Sequence, residues 1–279
     1  MVGSSWFQEA DMREGGHASG VAIVTGAVGG MGSECARLLA EHAWPELLLC
    51  DLDEARLEAF AAPLRASGPK VETIAADITD RGFPARLIER LGTREISAFI
   101  HSAGIAPQMA EPNRVFEINL DASLRLLQAV RPRMAENSAA VFFASIAGHL
   151  PVSPEAEAAF ERPIPAEGST SLRHFASDSN EAYLLSKRAI IATVKREAKA
   201  FGQRNARLVS VSPGLIDTAM TRGVENQLTI SLLAGAAVPR LGRPKEVAAA
   251  CVFLCSPAAS FITGCDLRVD GGELAGLGI

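Results

Sequence analysis

The chain lacks any apolar run approaching the roughly eighteen residues that a membrane span needs. Its first twenty residues hold Asp11, Glu14 and several glycines and have no apolar centre of the signal-peptide kind, so the protein is expected to be cytoplasmic, with no membrane partner. Positive charge is not in excess either. A formal net charge of −5 offers no basic field to hold a phosphate backbone, which argues against nucleic acid and for a small-molecule partner. The five cysteines, at 35, 50, 251, 255 and 265, form no C-x-x-C pair. Cys251 and Cys255 share one face of an apolar helical run and read as buried thiols, so neither a disulfide nor a metal is expected. His149 and His174 have no third spaced ligand to make a metal site. Tyrosine occurs once in 279 residues, at position 183.

What the chain does have is hydrophobic residues at 48% and charged residues at 21%, the balance of a globular protein with a large core. Short apolar runs at Val21–Thr25, Leu47–Cys50, Val71–Ala75, Ile96–Ile100, Ala139–Ala144, Leu208–Val211 and Leu267–Val269 alternate with helical patterns. That rhythm predicts βαβ units: an α/β, Rossmann-like, doubly wound parallel sheet of about seven strands with helices on both faces. Residues 1–19 read as a flexible leader and 20–279 as a single domain. Asp53 is expected to cap the helix carrying Leu57, Thr79 the one carrying Leu87, and Pro244 to sit in the first turn of a helix reaching about Cys255.

Residues 147–180 break the rhythm, with prolines and glycines and no strand pattern over a length too great for an ordinary connection. Ser153-Pro154-Glu155 predicts a helix start, and a short helix over about Pro154–Glu161 would pack through Ala158, Ala159 and Phe160. Because both ends of the segment lie near candidate site residues, it is expected to be a lid or wall of the substrate cleft.

In a doubly wound sheet the ligand lies outside the carboxyl ends of the strands. After the first strand comes Thr25-Gly26-Ala27-Val28-Gly29-Gly30-Met31-Gly32 and then a helix, an arrangement whose glycines allow close backbone approach and whose first-turn N–H groups attract a pyrophosphate. The second strand ends in Asp51, placed to accept hydrogen bonds from the adenosine ribose and to repel a 2′-phosphate. No Lys or Arg occurs in the glycine loop or just after Asp51, which favours NAD over NADP. Tyr183 and Lys187, four apart, share one helix face, so the ammonium can lower the phenol pKa and let Tyr183 exchange a proton with a substrate oxygen.

The glycine loop and Tyr183-Leu184-Leu185-Ser186-Lys187 together resemble the short-chain dehydrogenase/reductase family from about Val21 to Gly272. The resemblance implies an NAD-dependent oxidoreductase moving a hydride between the cofactor and a small hydrophobic secondary alcohol or ketone. It implies Tyr183 as general acid/base with Lys187, Ser145 after the fifth strand on the substrate oxygen, and Asn119 holding a water in a proton relay. It further assigns the cofactor to Gly26, Gly30, Met31 and Gly32 of the loop, to Asp51 and Leu52, to Asp77 and Ile78 after the third strand, and to Ser102, Ala103 and Gly104 after the fourth. Pro213, Gly214, Ile216 and Thr218 complete that set, with Tyr183 and Lys187 also touching the cofactor, and a homodimer or homotetramer is implied. Two departures stand out. The usual N-N-A-G is His101-Ser102-Ala103-Gly104, where His101 reads as a scaffold residue, and the interval between Ser145 and Tyr183 is wide, as in bacterial hydroxysteroid dehydrogenase/carbonyl reductases. A catalytically silent NAD-binding regulator of the same fold and a sugar-nucleotide epimerase are the competing readings.

Overall fold

The computed structural model describes residues 20–165, 168–221 and 227–279; the leader assigned to 1–19 lies outside them. Seven parallel strands, β1 (Val21–Thr25), β2 (Glu46–Asp51), β3 (Lys70–Ala75), β4 (Ile96–His101), β5 (Met134–Phe143), β6 (Arg207–Pro213) and β7 (Asp266–Val269), make one sheet in the order β3-β2-β1-β4-β5-β6-β7. The winding reverses between β1 and β4, so the carboxyl ends of those two strands open a crevice.

Side-chain alternation along the strands supplies two cores. Ile23, Leu48, Phe99 and Phe142 face one side, where α3 (Phe83–Leu91), α4 (Pro112–Phe116), α5 (Ala122–Val130) and α7 (Ser179–Gly202) cover them. Ala22, Val24, Leu47, Leu49 and Val141 face the other, beneath α1 (Gly30–Glu41), α2 (Glu54–Ala66) and α9 (Pro244–Cys255), which follows α8 (Gln227–Gly235) in the chain. The long strand β5 carries burial over most of its length because it lies centrally, with β4 and β6 as neighbours. Asp53 caps α2 by accepting from the Arg56 N–H at 3.0 Å, and Pro244 opens α9, as the sequence predicts. Thr79 does not cap α3. Asp77 accepts from both the N–H and the hydroxyl of Thr79, at 2.8 and 2.7 Å, and the helix begins after Gly82 instead.

Between β5 and α7 the inserted segment forms a 3₁₀ turn (Ile146–His149), α6 (Pro154–Ala159) and two further 3₁₀ turns (Gly168–Ser171 and Arg173–Phe175). Ala156, Phe160 and Leu172 are buried in the core beside α7 and Ala159 packs against it as expected; Ala158 is exposed, because the helix turns Ala156 rather than Ala158 inward. Arg188 of α7 donates to the carbonyls of Gly148 and Leu150 and pairs with Glu157, while Arg196 donates to the Phe160 carbonyl at 2.7 Å. On the other flank the buried Asp121 carboxylate accepts from the Ser169 N–H and hydroxyl, at 3.0 and 2.6 Å. The described part of the segment is therefore a brace on the outer side of α7.

Leu172 is fully buried. Leu172→Ala should destabilise the fold by about 2–5 kcal/mol through lost burial and a residual cavity. Thermal unfolding checks this; an unchanged midpoint would mean that the segment is a passive surface loop.

Candidate active site

Every candidate side chain lies at or just beyond the carboxyl end of the sheet. The loop between β1 and α1 turns through Gly26 at φ +71°, and a Cβ there would stand 2.7 Å from the backbone N of Ala103. A Cβ on Gly32 would meet the Gly26 carbonyl and the Ser102 hydroxyl at 2.1 and 2.4 Å. Side chains are excluded, so the loop backbone packs directly on Ser102 and Ala103. Helix α1 has no side-chain cap on its N-cap Gly29 and no acid in its first turn, which leaves the positive end of its dipole available to an anion. A pyrophosphate fits this backbone cradle.

A cleft beside the loop is lined by Met31, Ser102, Gly104, Ser145, Tyr183 and Lys187 together with Pro213, Gly214, Ile216 and Thr218. Ile105, Phe143, Ala144, Met220 and Thr221 also line it and had not been singled out in the sequence, since apolar and small residues carry no motif of their own. No described residue of 150–178 is among the residues lining this cleft, and the contacts described for the inserted segment lie against α7. The loop after β6 is held by the carboxyl terminus of the chain: Glu273 is buried and accepts from the Leu215 N–H at 3.0 Å, its carboxyl pushed above the usual range by that burial. Gln108 reaches over to donate to the Met220 carbonyl at 3.0 Å.

Ser145 is buried and caps the turn that follows it, accepting from the Ala147 N–H at 3.2 Å. Tyr183 lies one turn into α7, whose N-cap Asp178 accepts from the N–H groups of Asn180 and Glu181. Its side chain and that of Ser145 line the same cleft. Lys187, one turn on, is buried and donates from Nζ to the Phe143 carbonyl at 3.1 Å, lying 5.6 Å from the Tyr183 ring centroid. Burial lowers the Lys187 pKa to about 8. The Tyr183 phenol is raised rather than lowered, because burial outweighs the lowering influence of Ser145. The expected acidification of Tyr183 by Lys187 is therefore corrected for the chain alone.

Asn119 lies in a π-helical turn (Glu117–Asp121) joining α4 to α5. Its amide clasps one backbone unit, Oδ1 accepting from the Ile105 N–H and Nδ2 donating to the Ile105 carbonyl, both at 2.9 Å. Asp51 accepts from the Val28 N–H at 2.9 Å and the Leu52 N–H at 2.7 Å, tying the glycine loop to the end of β2, while Leu52 itself is exposed. Arg56 also comes to this corner, its Nη2 3.4 Å from the Val28 carbonyl, so a guanidinium does stand near Asp51 although none follows it immediately in sequence. Asp77 is engaged by Thr79 and by Arg114 at 2.8 Å, and Ile78 packs against the core. His101 is buried between Thr25 and Ser123. All five cysteines are free; burial raises the Cys50, Cys251 and Cys255 thiols, leaving them unreactive. Among the described residues no cluster of three or more His, Cys, Asp or Glu could hold a metal, and no helix is long and apolar enough to cross a membrane.

Comparison with known proteins agrees with this geometry. Residues 20–156 match the family model for short chain dehydrogenase, and 168–273 match that for enoyl-(acyl carrier protein) reductase. The 3-oxoacyl-acyl-carrier-protein reductase of Chlamydia muridarum is 31% identical over 90% of this chain and 96% of its own. The chain belongs to the short-chain dehydrogenase/reductase family. Another member of that family, the cis-4-hydroxycyclohexanecarboxylate dehydrogenase of Sinomonas cyclohexanicum, is 29% identical over 91% of this chain and 96% of its own. The crystal structure of a short-chain glucose/ribitol dehydrogenase from Brucella melitensis superposes with a TM-score of 0.72 at 31% identity, covering 91% of this chain and 96% of that one. As a short-chain dehydrogenase/reductase the protein is an oxidoreductase of a family that binds nicotinamide cofactors.

The Lys187 pKa, about 8 when folded against an ordinary 10.5, has a consequence for stability. The burial penalty is fully present below the folded pKa and disappears as pH rises through the unfolded one. The stability of Lys187→Met relative to wild type should therefore fall between pH 8 and 10.5. Paired denaturant unfolding curves across that range check this, and a pH-independent difference would contradict the buried ammonium.

Proposed function

We propose that residues 20–279 form one catalytic domain that moves a hydride between NAD(H) and a secondary alcohol or ketone carbon. The carrying observation is the convergence of Ser145, Tyr183 and Lys187 on one cleft beside the glycine cradle. When bound, the nicotinamide supplies or accepts the hydride. In the reducing direction Tyr183, held neutral by burial, gives its phenolic proton to the carbonyl oxygen as the carbon is reduced. Ser145 donates a hydrogen bond to the same oxygen and steadies its developing charge. Lys187, still mostly charged at neutral pH, favours the phenolate that Tyr183 becomes and binds the nicotinamide ribose.

Lys187 is the sole charged side chain among the described lining residues, which suits an uncharged, largely apolar substrate. The relatives carry their own substrates in their names. Asp51, committed to the loop amides yet with free lone pairs, supports NAD over NADP; Arg56 is the group that would oppose this preference. The reading includes a homo-oligomer, consistent with the exposed Phe261 and Leu267 beside the unpaired edge strand β7, and a cytoplasmic setting, which five free thiols suit.

Tyr183→Phe should reduce ketone reduction by about 10²–10⁴-fold, the usual contribution of a positioned general acid/base, while leaving NADH affinity unchanged. Steady-state rates and fluorescence titration with NADH and NADPH measure both points. Near-normal turnover in the variant would overturn the assignment of Tyr183, and tighter binding of NADPH by wild type would overturn that of Asp51.

A further inference from the structure

The ring of His101 lies at the end of β4, stacked on Phe99 with an interplanar angle of 8° and tilted against Phe142. Both of its nitrogens are engaged: Nδ1 stands 2.7 Å from Thr25 Oγ1 and Nε2 2.8 Å from Ser123 Oγ. Ser123 Oγ is in turn 3.0 Å from the backbone carbonyl of Asn119. A carbonyl only accepts, so the single hydroxyl hydrogen of Ser123 is committed to Asn119. Ser123 must then accept from His101, which puts the ring hydrogen on Nε2. Burial, reinforced by the nearby Lys187 charge, holds the His101 pKa at about 3, so the ring is neutral and carries one hydrogen. Nδ1 is left as the acceptor for the Thr25 hydroxyl.

All three hydrogens thus point one way, from β1 through β4 to the π-helical turn. A run of aligned bonds in a dry interior polarises its members, and leaving any one group unpaired there is costly. The far end of the run adjoins the cleft through Ile105, one of its lining residues. The Asn119 amide clasps Ile105 on both backbone groups, and a Cβ on the adjoining Gly104 would lie 3.0 Å from Asn119 Oδ1 and 3.5 Å from Lys187 Nζ. Where Asn119 sits therefore decides where the Gly104–Ile105 wall stands opposite Lys187.

We propose that His101 is a positioning residue which, through Ser123, fixes the π-helical turn so that Asn119 holds the cleft wall against Lys187. The inference rests on the catalytic reading of this cleft given above. A purely packing role would need the ring but not its nitrogens, since Phe99 and Phe142 already offer an aromatic niche.

His101→Phe keeps the ring and removes both nitrogens; Ser123→Ala removes the link alone. Each should lower kcat for ketone reduction by about tenfold, the kinetic equivalent of roughly one buried hydrogen bond, with KM and NADH affinity unchanged. The double variant should be no slower than either single one, because both cut the same run. Losses that multiply, or a lowered unfolding temperature with kcat intact, would overturn the proposal. Imidazole ¹⁵N shifts of histidine-labelled wild type and Ser123→Ala give a readout that does not depend on turnover or on His101→Phe folding. The expected form is hydrogen on Nε2 with Nδ1 bare, and the Nε2 resonance should move in Ser123→Ala; hydrogen on Nδ1, or an unmoved Nε2, would contradict the run. Failure of the catalytic reading itself would instead appear as full turnover in Tyr183→Phe.

Discussion

A parallel sheet buried on both faces leaves its strand ends as the principal place where strand residues can meet a ligand, and the architecture of this protein follows from that constraint. The central strands are apolar on both sides because α1, α2 and α9 cover one face and α3, α5 and α7 the other. Chemistry is displaced to the carboxyl ends, where the reversal of winding between β1 and β4 opens the crevice. The glycine loop can serve that crevice only because Gly26 and Gly32 let its backbone lie against Ser102 and Ala103. Polar side chains buried near the crevice are accordingly bonded to backbone rather than left to solvent: Lys187 to Phe143, Asn119 to Ile105, Glu273 to Leu215.

The same burial sets the electrostatics. It lowers the Lys187 ammonium and raises the Tyr183 phenol, so each group is moved towards its uncharged form. The low polarity that makes each charge costly also magnifies any interaction with a bound substrate oxygen. The surrounding scaffold has to be rigid for this to help, and the inserted segment, tied to α7 through Glu157 and to the π-helical turn through Asp121, serves that purpose.

Much of this was legible in the sequence, for identifiable reasons. Strand positions could be read because fully buried parallel strands are short apolar runs, and Asp53 and Pro244 were readable because caps depend on local chemistry. Thr79 misled because Asp77, two residues earlier, competes for it through a local turn. The π-helical turn around Asn119 has no sequence signature, and neither does the clasp of its amide on Ile105. Arg56 was missed at the Asp51 corner because the approach is made across the helix start rather than along the chain. The inserted segment could be delimited by its prolines and glycines, but whether it faced the cleft or the outside of α7 depended on the burial of Phe160 and Leu172, which periodicity over so short a helix cannot settle.

The central claim is that a hydride passes directly between the nicotinamide and a carbonyl carbon while the oxygen takes its proton from the protein. Reduction of an apolar cyclic ketone with NADH deuterated at C4 of the nicotinamide tests it most directly, with both C4 epimers supplied in turn. The account predicts that one epimer delivers deuterium to the carbinol carbon of the alcohol product and the other delivers none, with solvent hydrogen appearing only on oxygen. Alcohol formed without deuterium at that carbon from either epimer would contradict it.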